Sequence, residues 1–176
     1  MQNMLATAVI ASALCVGCGD EGAMAGAEPA EGASALLLGK SGNTSLSGTA
    51  TFSGGPGTVQ LTVSINGAPA GTHGVHIHEK GDCSAPDAMS AGGHWNPAMV
   101  MHAAPGATAH LGDLGNVTIG ADGKGTLTAG NTMWEIDTGS SKDVVGKAVV
   151  VHAMPDDLTS QPAGNAGARI GCGVIQ

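Results

Sequence analysis

The sequence predicts an all-β domain, a sandwich or barrel of short strands. Three observations carry that expectation. From residue 34 onward, short runs rich in Val, Ile, Leu and Thr alternate with Gly, Asn, Asp and Pro turns. Thirty glycines and only 11% charged residues suit tight turns better than long solvent-facing helices. No segment sustains the apolar period of a helix.

The candidate strands, in order, are 34–38, 47–52, 58–65, 75–78, 116–119, 125–128, 132–136, 147–152 and 169–175. Gln60-Leu61-Thr62-Val63-Ser64-Ile65 alternates polar and apolar, as a half-buried strand does. Asn66-Gly67 and Asp122-Gly123 are strong turn signals. Two long stretches lack strand character, 79–114 and 155–168. Loops of that length in a compact domain usually carry function. A bound metal can order them.

Hydrophobic residues make up 42% of the 176. Phe52, Trp95 and Trp134 are the only aromatics, so Val, Ile, Leu, Ala and Met must build the core. Met89, Met99 and Met101 have the sulfur of soft copper ligands, but they are expected instead to pack the first long loop. The formal net charge of −8 argues against a nucleic-acid partner, which needs a basic surface. Residues 34–176 hold 10 acids and 6 bases, a net −4 that two divalent ions would neutralise. Attraction of an anionic substrate must then come from local charge.

The first 33 residues read differently. Met4 to Val16 is an apolar run too short to span a bilayer, and it fits the hydrophobic region of an export signal. Leu14-Cys15-Val16-Gly17-Cys18 resembles a bacterial lipoprotein cleavage box with Cys18 as lipid acceptor. The alternative is an ordinary secretory signal cut after Gly17 or a nearby Ala. Cys15 and Cys18 end an apolar leader rather than begin a helix, so a redox motif is discounted. Residues 19–33 are small, acidic and punctuated by Pro29, as in a flexible tether. The expected organisation is an export signal over 1–18, an acidic tether over 19–33 and one domain over 34–176. The expected location is the periplasm or cell envelope, with a membrane tether through Cys18.

Six of the seven histidines fall between His76 and His152. His76 and His78 are two apart, so on a strand both rings share a face while Val75 and Ile77 turn to the core. A lone His-x-His is more often decoration than a site. Here His94 follows in a Gly-rich turn, then His102, His110 and Asp113, and His152 ends an apolar strand. Imidazole and carboxylate together hold Zn(II) or Cu(II) at neutral pH. Seven such groups exceed what one tetrahedral ion needs, so two linked sites are expected. Taken singly, His102 and His110 would be exposed loop histidines, Asp113 a turn residue, Asp156-Asp157 a solvated pair and Arg169 a surface cation.

With these motifs assembled, the chain resembles the copper–zinc superoxide dismutase family. The matching elements are Gly74-Val75-His76-Ile77-His78-Glu79, Gly81-Asp82-Cys83, Ser90 to Pro97, His110 to Asn116, Val150-Val151-His152 and Gly164 to Ile175. The position of Gly81-Asp82-Cys83 looks like the exported bacterial branch. The resemblance implies a Greek-key β-sandwich or barrel of about eight antiparallel strands with two long functional loops. It implies copper held by His76, His78, His94 and His152, and zinc held by His94, His102, His110 and Asp113, with His94 bridging. It implies that Asp156 orients ligand histidines of both metals and that Arg169 guides and binds superoxide. His73 would brace a Greek-key loop, and Cys83 and Cys172 would form a disulfide in an oxidising compartment.

The implied reaction converts superoxide to oxygen and hydrogen peroxide while copper cycles between Cu(II) and Cu(I). His94 would release copper on reduction, take up a proton there and pass it to the product. The segment between Asp157 and Asn165 is short and uncharged where animal members have a longer charged loop, so Arg169 would act nearly alone. The family includes dimers and monomers, which leaves a homodimer open. Two rivals are a non-catalytic periplasmic copper/zinc-binding protein on the same fold and an envelope interaction domain with incidental histidines.

Overall fold

The computed structural model describes residues 31–55 and 57–176. The expected export signal, Cys15, Cys18 and most of the expected tether lie outside the described residues. Eight strands form one antiparallel sheet: β1 (Glu31–Gly39), β2 (Ser47–Gly54), β3 (Val59–Asn66), β4 (Gly71–His78), β5 (Asp113–Ile119), β6 (Gly125–Asn131), β7 (Ala148–His152) and β8 (Arg169–Val174). Their order is β5-β4-β7-β8-β1-β2-β3-β6, and β5 comes back against β6, so the sheet curls into a nearly closed barrel. The crossovers from β3 to β4 and from β6 to β7 make the Greek-key path. The only described helix is a 3₁₀ turn, Met89–Ala91.

Alternation along β2 and β3 puts Ala50, Phe52, Leu61, Val63 and Ile65 inside and leaves Ser and Thr outside. Phe52 meets Trp134 edge to face at 5.9 Å. The last six residues of β4 are buried on both faces. Val75 and Ile77 join the barrel core with Val149 and Val151. The outer face of the same strands carries a second apolar patch, Ala148, Val150 and Cys172 against Ala88 and Ala91 of the long loop. His76 lies across from Val150 and His78 across from Ala148, so both histidines point into the space between sheet and loop.

Several expected bounds move: β4 begins at Gly71, β5 at Asp113, and β6 runs on to Asn131. β1 begins at Glu31, three residues inside the expected tether, because residues 31–33 pair with Gly54, Ser53 and Phe52 and Ala33 is buried. Backbone pairing to β2 holds a stretch whose composition alone looked unstructured. Segment 132–136 is not a strand. Trp134 turns inward and donates its indole N–H to Leu111 O at 2.9 Å. Asp143 then gathers the amides of Asp137, Gly139 and Val145 into a tight turn. Only Glu135 makes an isolated bridge, to Asp143.

Candidate metal centre

The first histidine set is assembled from two paired strands and a returning loop. His76 and His78 lie on β4, and His152 ends the adjacent β7. The loop folds back beside β4, where Trp95 N donates to Ile77 O and Glu79 N donates to Gly93 O. That pairing sets His94 opposite His78. One nitrogen of each strand histidine is occupied. His76 Nε2 donates to Asp156 Oδ2 at 2.8 Å, His78 Nδ1 to Gly92 O at 3.0 Å and His152 Nδ1 to Gly167 O at 3.2 Å. The other nitrogens converge with His94 Nε2, all within 4.8 Å of one another. His76 Nδ1 and His94 Nε2 are buried with no hydrogen-bond partner.

The second set lies between residues 94 and 113. His94 Nδ1 is 2.9 Å and His110 Nδ1 3.2 Å from Asp113 Oδ1, and His102 Nδ1 is 3.0 Å from Oδ2. The outer nitrogens are again tied: His102 Nε2 donates to Asp156 Oδ1 at 2.9 Å and His110 Nε2 to Val100 O at 3.2 Å. His102 Nδ1 and His110 Nδ1 lack hydrogen-bond partners although buried. Buried polar atoms are seldom left so, and four clustered ones need an explanation. Fixing one ring nitrogen so that the other points at a common centre is how proteins present histidines to a metal. Both sets therefore fit an ion, with four nitrogens in one and three nitrogens and a carboxylate in the other.

Electrostatics agree with the geometry. Burial pushes His76 down to about 4, His152 to about 3 and His78 to about 2, so all three are neutral with a lone pair available. Burial opposes ionisation of Asp156, but hydrogen bonds from His76, Leu158 N and His102 hold it at about 2. Asp113 is lowered in the same way, its burial outweighed by His94, His110 and His102. His102 is raised, because Asp156 and Asp113 together outweigh its burial.

The first set opens onto a cleft of about 360 Å³ lined by His78, His94, His152, Met89, Pro162 and Arg169. Arg169 begins β8, across from His152. Its Nη1 donates to Ala88 O and its Nη2 to Gly92 O, each at 2.7 Å. Burial lowers its pKa against the pull of Asp87, yet a guanidinium stays charged. Cys83 and Cys172 are bonded, tying the loop to β8.

A family model described as copper/zinc superoxide dismutase matches residues 46–175. The chain belongs to the copper/zinc superoxide dismutase family. A Cu-Zn superoxide dismutase of Deinococcus radiodurans is 41% identical over 143 residues, which cover 74% of this chain and 78% of that one. The crystal structure of the clock protein EA4 superposes with a TM-score of 0.72 at 33% identity, covering 85% of this chain and 96% of that one. A double mutant of a SOD-like protein from Bacillus subtilis gives 0.69 at 34% identity, covering 80% and 94%.

In this copper/zinc superoxide dismutase chain, every residue expected at the two sets is brought to them. His73 stands apart, its ring nitrogens 2.8 and 2.9 Å from His152 O and Pro69 O, where it braces the Greek-key connection. Three supporting residues escaped the sequence reading. Gln161 clamps His102, accepting from its N–H and donating to its carbonyl, both at 2.8 Å. Asn116 does the same for Asp156. Gly164, at φ 63°, leaves the space that Asp156 Oδ1 and His102 Nε2 occupy, and any Cβ there would collide with both. One expectation fails: Met89, Met99 and Met101 are exposed rather than packed, because polar main-chain contacts and the histidines order the loop instead.

Proposed function

We propose that the protein converts two superoxide ions and two protons to dioxygen and hydrogen peroxide, with copper at His76, His78, His94 and His152 and zinc at His94, His102, His110 and Asp113. The observation that carries this reading is His94. Its Nε2 faces the cleft-side set, its Nδ1 faces Asp113, and neither nitrogen is tied to main chain. A ring so placed would serve an ion on either side. Three imidazoles and a carboxylate suit a closed tetrahedral zinc site, and an all-imidazole set open on one side suits copper.

Bound copper supplies one-electron exchange between Cu(II) and Cu(I), and zinc supplies fixed charge. The chain's own residues do the rest. Arg169 puts the one cation that lines the cleft beside the open face, where it attracts and orients the anion. His94 Nε2 faces the cleft-side set without a hydrogen-bond partner and, when not holding the ion, would be placed to carry a proton to the product. Asp156 grips one ring from each set, so neither rotates as charge changes. A metal carrier needs no cation beside its ions, and Arg169 separates the two readings.

Metal analysis with a superoxide-scavenging assay on protein loaded with both ions tests the proposal. One copper, one zinc and rapid scavenging are expected. Fewer than one ion per chain, or loaded protein that does not scavenge, overturns it.

We also propose that the protein is exported on residues 1–18 to the periplasm or cell envelope, tethered by the residues before β1 and lipidated at Cys18. The Cys83–Cys172 disulfide supports an oxidising compartment. Mass spectrometry of the mature N-terminus decides between lipid-modified Cys18 and an unmodified end. Homodimer formation, supported by exposed Leu36 and Leu38 on β1, is tested by sedimentation.

A further inference from the structure

Methionine usually sits in cores. Met133 follows that habit, packing against the core. The other four methionines among the described residues do not. Met89 is 60% exposed, Met99 89%, Met101 67% and Met154 56%. All four lie on the two loops that carry or flank the histidine sets, 79–112 and 153–168. A thioether on a solvent-facing loop gains nothing from burial. Its remaining chemical property is softness, and soft thioether sulfur selects Cu(I) over Zn(II) and Cu(II).

One of the four lines the cleft, and a second, from the other loop, packs against a residue that lines it. Met89 lines it with His78, His94 and His152. Met154 packs over Gly167, its Sδ 3.3 Å from where a Cβ on that glycine would stand, and Gly167 also lines the cleft. Below them lie His78 Nε2 and His152 Nε2, 3.4 Å apart. His94 Nε2 is buried there without a hydrogen-bond partner. One soft donor thus lines the cleft and a second lies behind Gly167 at its edge, with borderline donors at the base.

We infer that Met89 and Met154 form a landing site for Cu(I), from which the ion passes inward to His78 and His152. The inference rests on the assignment of copper to the cleft-side histidines. It adds an entry step that selects copper by oxidation state before the imidazoles bind it. No electron or proton moves in this step; thioether bonds are exchanged for imidazole bonds. Zinc, which thioethers bind poorly, gains no help from the site.

The test uses the full chain loaded with zinc and free of copper, in wild-type form and as M89L/M154L. Leucine keeps the size and apolarity of these exposed side chains and removes the sulfur. Cu(I) is offered as its bicinchoninate complex under anaerobic conditions, and its transfer is followed by loss of the chelate colour. Cu(II) uptake is followed separately by its visible absorption. The double variant is expected to take up Cu(I) about tenfold more slowly, with Cu(II) uptake and final stoichiometry unchanged. M99L/M101L, which alters exposed methionines that do not line the cleft, is expected to match wild type. Equal Cu(I) rates in M89L/M154L and wild type overturn the landing site, as does equal slowing of Cu(I) and Cu(II). Failure of wild-type protein to bind copper in either state overturns the copper assignment itself, and the landing site with it.

Discussion

Arg169 and His78 share one acceptor. Nη2 of the arginine, at 2.7 Å, and Nδ1 of the histidine, at 3.0 Å, both donate to Gly92 O. The residue proposed to meet the anion and a residue that faces the cleft-side centre are therefore registered against the same peptide group. Nη1 on Ala88 O fixes the second prong of the fork, so the guanidinium plane cannot swing.

Replacing Arg169 should show this double duty. R169A is expected to lower kcat/KM for superoxide by about tenfold or more, since it removes the one cation lining the cleft. R169K should recover only part, because a lysine restores charge but cannot bind both carbonyls in one plane. R169E should be slowest. The wild-type rate should fall with ionic strength and the R169A rate should not; pulse radiolysis over a salt series reads both.

Asp156 is expected to matter to both ions without touching either. D156N puts an amide N–H where one ring N–H now donates. Copper and zinc affinities should each fall by about 10–100-fold. Chelator competition measures them, and far-UV circular dichroism should show the barrel unchanged.

H94A takes a ligand from each set at once. Zinc should still bind, weakly, through His102, His110 and Asp113, and copper through the strand histidines. The copper absorption and EPR spectra should then no longer depend on whether zinc is present, as they should in wild type. Identical dual-metal spectra for variant and wild type would refute bridging.

The metal-free protein should lose stability on acidification. His76, His152 and His78 are held at about 4, 3 and 2, against the usual 6.5 when unfolded. Between pH 6.5 and 4 the unfolded chain takes up protons that the folded chain refuses. Each ring thus costs up to about 1.4 kcal/mol of stability per pH unit lost. Asp156 and Asp113, held low, add to the loss once pH falls below the carboxylate range. His102, which is raised, acts oppositely: its contribution is full below pH 6.5 and fades as pH rises through its folded value. Urea unfolding at pH 7 and pH 5 should give the larger free energy at pH 7.

Removing the disulfide tests the scaffold. It closes 89 residues, and its loss in a C83A/C172A variant should cost about 4 kcal/mol on the chain-entropy account. Because Ala88 and Gly92 lie on the loop it fastens, activity should fall along with the melting temperature.

Much of this was legible in the sequence because the informative residues obey simple periods. His76 and His78 share a face because a strand alternates, and Val75 and Ile77 are core for the same reason. Where side-chain chemistry contradicted local pattern, the pattern misled. Met-Trp-Glu-Ile at 133–136 alternates like a strand, but the Trp134 N–H needed Leu111 O and the chain turned to provide it. Methionine suggested burial and is exposed on the metal loops. Gln161 and Asn116 were invisible because they act on main chain 59 and 40 residues away, and no spacing rule encodes such contacts.

The two ligand sets differ in how their donors are drawn from the chain. The cleft-side set needs two neighbouring strands in register before its donors can meet. The other comes wholly from residues 94–113. That stretch is compact in sequence, yet it is joined to the other set through His94 and through Asp156. His110 and Asp113 can be rewritten without touching the β4–β7 seam, whereas a one-residue slip in that seam would turn His76 and His78 into the barrel and dismantle the cleft-side site.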